Sequence, residues 1–110
     1  NLKSVRVVID VRDIVNAYYL LMISEQSTGK VFNVSGDAPY EMQHYTDLLI
    51  TASKVLSVKK VRHEAFWRPH DIHYQHGDCT TLIDMTNWSP VYDLETTMQD
   101  LLDYWVKKLS

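Results

Sequence analysis

The sequence predicts a mixed α/β fold with three main helices and short strands. Three observations carry that expectation. β-branched runs stand at Val5 to Ile9 and Lys30 to Val34. Apolar residues recur at helical spacing in three separate stretches. Capping acids precede two of those stretches, Asp10 before the first and Asp93 before the last.

The elements follow in order. Val5 to Ile9 reads as a strand with one Arg inside it. Asp10 caps a helix of roughly three turns from near Val11, with Asp13 in its first turn. Val11, Ile14, Tyr18, Leu21 and Met22 mark its apolar face. Ser24 to Gly29 is a turn-rich linker to the second strand, and Ser35 to Pro39 is a loop. The second helix runs from about Glu41 to Leu56, with Tyr45, Leu48, Leu49, Ala52 and Val55 facing inward. Val58 to Glu64 has the Val content of a short strand, exposed because of Lys59, Lys60 and Arg62.

Thr80 to Thr86 carries a short helical pattern through Leu82, Ile83 and Met85, stopped by Trp88-Ser89-Pro90. In the last helix Leu94, Met98, Leu101, Leu102, Trp105 and Leu109 line the expected buried face. Glu95 suits its first turn, and Lys107 and Lys108 its C-terminal end.

At 110 residues the chain is one domain, with an ordinary globular balance of 45% hydrophobic and 23% charged residues. Net charge is -3. No basic stripe points to nucleic acid, and no apolar run approaches membrane-spanning length. A single cysteine, Cys79, excludes an intrachain disulfide and suits a cytoplasmic protein. Two glycosylation sequons, at Asn33 and Asn87, are read as chance matches. The chain opens on Asn1 in mid-pattern, which suggests a piece of something longer.

The stretch from Arg68 to Asp78 is the least core-like and holds one Arg, two Asp, three His and a Tyr in eleven residues. Pro69 fixes its own φ and biases Arg68 toward extended backbone, so the stretch is no helix interior. It reads either as a solvated loop or as a clamp, with Arg68 for a phosphate and Asp71 for paired hydroxyls. His70, His73 and His76 share no metal-binding frame, so no metal is expected. Tyr104 and Lys108 have the Tyr-x-x-x-Lys spacing of a dehydrogenase pair, but they close an amphipathic helix without a partner Ser. With three glycines and no G-x-G-x-x-G or G-x-x-x-x-G-K run, the chain carries no cofactor-binding loop of its own.

Six motifs occur in a particular order. They are Arg6 with the Asp10-to-Tyr18 run, then Val31-Phe32-Asn33-Val34-Ser35-Gly36, then Arg68-Pro69-x-Asp71. Gly77-Asp78, Trp88-x-Pro90 and the run from Leu94 to Trp105 complete the set. This order resembles the C-terminal part of an extended short-chain dehydrogenase/reductase acting on nucleotide sugars. The likeness is nearest to GDP-mannose 4,6-dehydratases and GDP-6-deoxy-mannose reductases, and it covers nearly the whole chain. The family usually has Asp after the first Arg, where this chain has Val7.

The resemblance implies a single nucleotide-sugar-binding segment over residues 1–110, without the catalytic Ser/Thr, Tyr and Lys. It implies that Arg6 and Arg68 hold a pyrophosphate and that Asp71 accepts ribose hydroxyls, in a GDP-sugar and a homo-oligomeric enzyme. NAD(P) belongs to the complete enzyme and not to this segment. Taken alone, Arg6 suits equally a strand residue whose head reaches solvent, and Asp71 a turn-stabilising acid. A stand-alone binding or interaction module descended from such an enzyme is the alternative reading.

Overall fold

The computed structural model describes residues 1–61 and 63–110. Its elements are β1 (Val5–Arg6), α1 (Val11–Ile23), β2 (Tyr40–Glu41), α2 (Met42–Ser53), α3 (Thr80–Thr86) and α4 (Leu94–Leu109). Three longer helices, one seven-residue helix and a two-stranded sheet make a mixed α/β unit.

β1 and β2 pair antiparallel, Val5 opposite Glu41 and Arg6 opposite Tyr40. On its other side Val5 meets Tyr74 in a parallel bridge. The Val5 amide donates to the His73 carbonyl at 2.7 Å, and the Gln75 amide to the Val5 carbonyl at 3.0 Å. Residue 5 is therefore the seam that draws the 73–75 stretch against the first strand.

The first strand is shorter than the β-branched run to Ile9 suggests. Beyond Arg6 the Val8 amide donates to the Tyr45 hydroxyl, which itself donates to the Arg6 carbonyl at 2.8 Å. A side chain of α2 takes the place of a neighbouring strand. Tyr45 is buried, and burial raises the pKa of its hydroxyl.

Asp10 caps α1 as expected, accepting from the Arg12 amide at 2.8 Å. The helix is rotated relative to its apolar pattern. Asp13 and Ala17 are buried, whereas Val11, Tyr18 and Met22 are exposed. The reason is polar: Asp13 accepts from the Val91 amide at 2.9 Å and the Tyr92 amide at 3.2 Å. That anchor turns the Ala17 side inward, against Leu82 and Trp88.

Ile9, Leu20, Leu21, Phe32, Val34 and Cys79 close around this core. Residues 30–34 form no strand among the described residues. Phe32 and Val34 lie on the core, and Val31 is 94% exposed. The alternation expected of a strand is present, but among the described residues no strand pairs with it to complete a ladder.

α2 stops at Ser53 instead of Leu56, because Lys54 takes a left-handed φ of 56° and leaves Val55 and Leu56 exposed. β2, at the start of this helix, was not anticipated from the sequence. The strand expected over Val58 to Glu64 is absent among the described residues, which are exposed there; Arg62 lies outside them. α3 spans Thr80–Thr86 as expected, but it is Asn87, at φ 58°, that ends it. α4 packs on α2 and buries Met98, yet Leu101, Trp105 and Leu109 are exposed, so only its first half has the expected inner face.

Candidate functional site

The folded chain brings two of the three expected binding residues together. Arg6 and Asp71 meet in an ion pair at 3.2 Å, with side chains 22% and 25% exposed. β1 supplies Arg6, and the pairing of Val5 with the 73–75 stretch carries Asp71 to it. The other terminal nitrogen of Arg6 donates to the Val5 carbonyl at 2.8 Å. A guanidinium has five N–H donors, so three remain.

Asp71 has a second partner that the sequence reading did not include. The buried Ser4 hydroxyl donates to Asp71 Oδ2 at 2.6 Å, while Arg6 takes Oδ1. Ser4 and Arg6 stand two apart on an extended segment and so share a face. That spacing was the available signal. The Ser4 hydrogen bond is the first cause that holds the Asp71 carboxyl below the usual range. Partial burial opposes it, and the Arg6 charge adds to it.

Arg68 is exposed, three residues before Asp71, and makes no ion pair or hydrogen bond among the described residues. Arg6 and Asp71 thus neutralise each other, while Arg68 stays exposed on the irregular segment that carries Asp71. Two cavities among the described residues lie elsewhere. One of about 170 Å³ is lined by Ile9, Asp10, Asp37, Tyr92 and Thr97. The other, about 400 Å³ and open, is lined by Asp37, His76, Asp78, Cys79 and Thr80.

Two further polar side chains of the stretch, Asp78 and His76, have structural partners. Asp78 accepts from the Thr80 amide at 2.9 Å and the Thr80 hydroxyl at 2.6 Å, which opens α3 and lowers the Asp78 pKa. His76 Nε2 lies 3.3 Å from the Gly36 carbonyl, and the His73 carbonyl is spent on Val5. Among the described residues no three His, Cys, Asp or Glu side chains gather as a metal site. Lys108 Nζ donates to the Tyr104 hydroxyl at 3.2 Å on the exposed face of α4, an ordinary i, i+4 surface pair.

A Cβ at Gly36 would meet Val7 Cγ1 at 3.0 Å, and one at Gly77 would meet the Ser35 Cβ at 3.0 Å. Both glycines let protein segments approach each other. Gly29 serves a turn at φ 72°. No helix of the described residues is long and apolar enough to cross a membrane.

No protein-family model matches the sequence. Solved structures do match the fold. RMD from Pseudomonas aeruginosa, solved with NADPH, superposes with a TM-score of 0.87 at 22% identity, covering 98% of this chain and 35% of that one. UDP-glucose 4-epimerase from Thermotoga maritima, solved with UDP-glucose, gives 0.85 at 22% identity over 100% and 34%. dTDP-glucose 4,6-dehydratase from Bacillus anthracis, solved with NAD, gives 0.76 at 15% identity over 97% and 33%. The chain therefore spans about a third of the length of these proteins. It has the fold of one portion of short-chain-dehydrogenase-type enzymes.

Proposed function

We propose that this chain is the nucleotide-sugar-binding portion of an NAD(P)-dependent dehydratase or reductase, with a GDP-sugar as its substrate. The observation that carries the reading is the Arg6–Asp71 pair, closed across 65 positions of sequence, with the exposed Arg68 three residues before Asp71 in the chain. The shared fold supports it, since the similar proteins include one solved with UDP-glucose and one with UDP.

The chemistry of each group suits the role. Arg68 offers a planar, permanently charged fork for two phosphate oxygens, and the three unused donors of Arg6 extend it. Asp71, kept ionised, has one lone pair on each oxygen beyond those taken by Ser4 and Arg6, enough for two hydroxyls. Such a portion holds the nucleotide and thereby orients the sugar. Hydride and proton transfer belong to the NAD(P)-binding remainder of the longer enzyme. The choice of guanine rests on the resemblance of the six motifs to GDP-mannose dehydratases and GDP-6-deoxy-mannose reductases.

Calorimetric titration of the 110-residue chain with GDP and with UDP tests this. GDP binds more tightly than UDP, and Arg68→Ala costs about 1.5–3 kcal/mol of that affinity. Equal affinity in the two proteins would remove Arg68 from the site. Tighter binding of UDP would overturn the choice of base, and no binding of either at millimolar ligand would overturn the reading itself.

A further inference from the structure

We propose that Ser4 is a positioning residue for Asp71, holding that carboxylate in the one orientation that accepts a pair of vicinal hydroxyls. The inference rests on the nucleotide-binding reading and adds a residue to it.

Ser4 is 2% exposed, and its hydroxyl donates to Oδ2 of Asp71 at 2.6 Å, a short bond of the charge-assisted kind. Its backbone leaves it little freedom. The Ser4 carbonyl accepts from the Met42 amide at 2.9 Å, and Val5 beside it is bound on both sides, by β2 and by the 73–75 stretch. The hydroxyl therefore sits on a fixed frame. Asp71, in contrast, stands on an irregular segment with no helix or strand of its own.

Two donors on different oxygens pin the carboxylate plane, Ser4 at Oδ2 and Arg6 at Oδ1. One donor alone would leave rotation about the last side-chain torsion, which is broad for Asp. With both in place one acceptor site per oxygen remains, and two adjacent sites match two adjacent hydroxyls. A ribose 2′,3′-diol is that chemistry. Arg6, the charged side chain in contact with Asp71, also favours the ionised form.

The test uses the full 110-residue chain, Ser4→Ala and Ser4→Thr, with folding checked by circular dichroism. The first measurement is the Asp71 carboxyl titration by carbon-13 NMR, which requires no ligand. Ser4→Ala raises the midpoint, because the largest stabiliser of the ionised form is gone, and Ser4→Thr restores it. An unmoved midpoint overturns the proposal. The second is affinity for GDP and for its 2′,3′-dideoxy analogue. Ser4→Ala weakens GDP about tenfold and leaves the dideoxy analogue unchanged. Equal losses for both ligands overturn the positioning role. If wild-type protein binds neither, the nucleotide-binding reading fails, and with it the role assigned to the oriented carboxylate, even where the titration midpoint moves.

Discussion

The indole Nε1 of Trp88 donates to the backbone carbonyl of Asp13 at 3.0 Å, joining positions 75 apart in sequence. The same aspartate accepts the Val91 and Tyr92 amides on its two carboxylate oxygens. One residue in the first turn of α1 thereby holds the whole 88–92 connection that leads into α4.

Removing that anchor is expected to be costly. Asp13 is 1% exposed, and Asp13→Ala leaves two amides without their acceptor. The loss is about 2–4 kcal/mol, and Asp13→Asn, which keeps one acceptor oxygen, loses roughly half as much. Urea unfolding checks it: the midpoints should fall in that order at constant slope. Wild-type midpoints in both variants would show the latch to be idle.

Acid should weaken the chain through Asp10. The Arg12 side chain donates to both Asp10 oxygens, at 2.9 and 2.7 Å, and is the main reason its carboxyl titrates well below the usual range. Burial opposes this, while the Arg12 amide and the Thr97 hydroxyl reinforce it. The folded value is depressed, so the stabilisation is full above the unfolded value of about 3.9 and is lost as pH falls through the folded one. Arg12→Ala should therefore lower Tm by a constant amount above about pH 5, and the gap to wild type should shrink below about pH 4. A gap unchanged down to pH 2 would rule this out.

Gly77 is expected to reject a side chain. Its added Cβ would lie 3.0 Å from the Cβ of Ser35, an atom tied to backbone rather than the end of a flexible chain. Gly77→Ala is then an overpacking change of about 1–3 kcal/mol. Thermal unfolding reads it directly, and a variant as stable as wild type would mean that the 35 and 77 segments separate at no cost.

The 30–34 segment should drive self-association. Val31 is 94% exposed, the backbone there has no ladder partner among the described residues, and α1 presents Val11, Val15, Tyr18 and Met22 to solvent. An open edge with such surface is a template for a second copy. Light scattering across a dilution series should find a dimer or larger species that Val31→Asp returns to monomer. A wild-type chain that stays monomeric at high concentration would end this expectation.

The sequence by itself determined the features whose causes lie within a few residues. Asp10 and Asp93 each accept an amide two or three positions on, so both caps were readable from position alone. The irregular backbone from Arg68 onward followed from Pro69 in the same way. Only the tertiary structure decided which side of α1 faces inward. Apolar spacing favoured Val11, Tyr18 and Met22, but a buried Asp13 with partners 78 and 79 positions away outweighed it. The candidate site divides along the same line. Its residue types were visible in the chain, whereas the bond from Ser4 to Asp71 spans 67 positions and exists only once Val5 has drawn the 73–75 stretch beside it. Local rules act through neighbours in sequence; a hydrogen bond across the fold depends on which distant groups the folded chain brings within bonding distance.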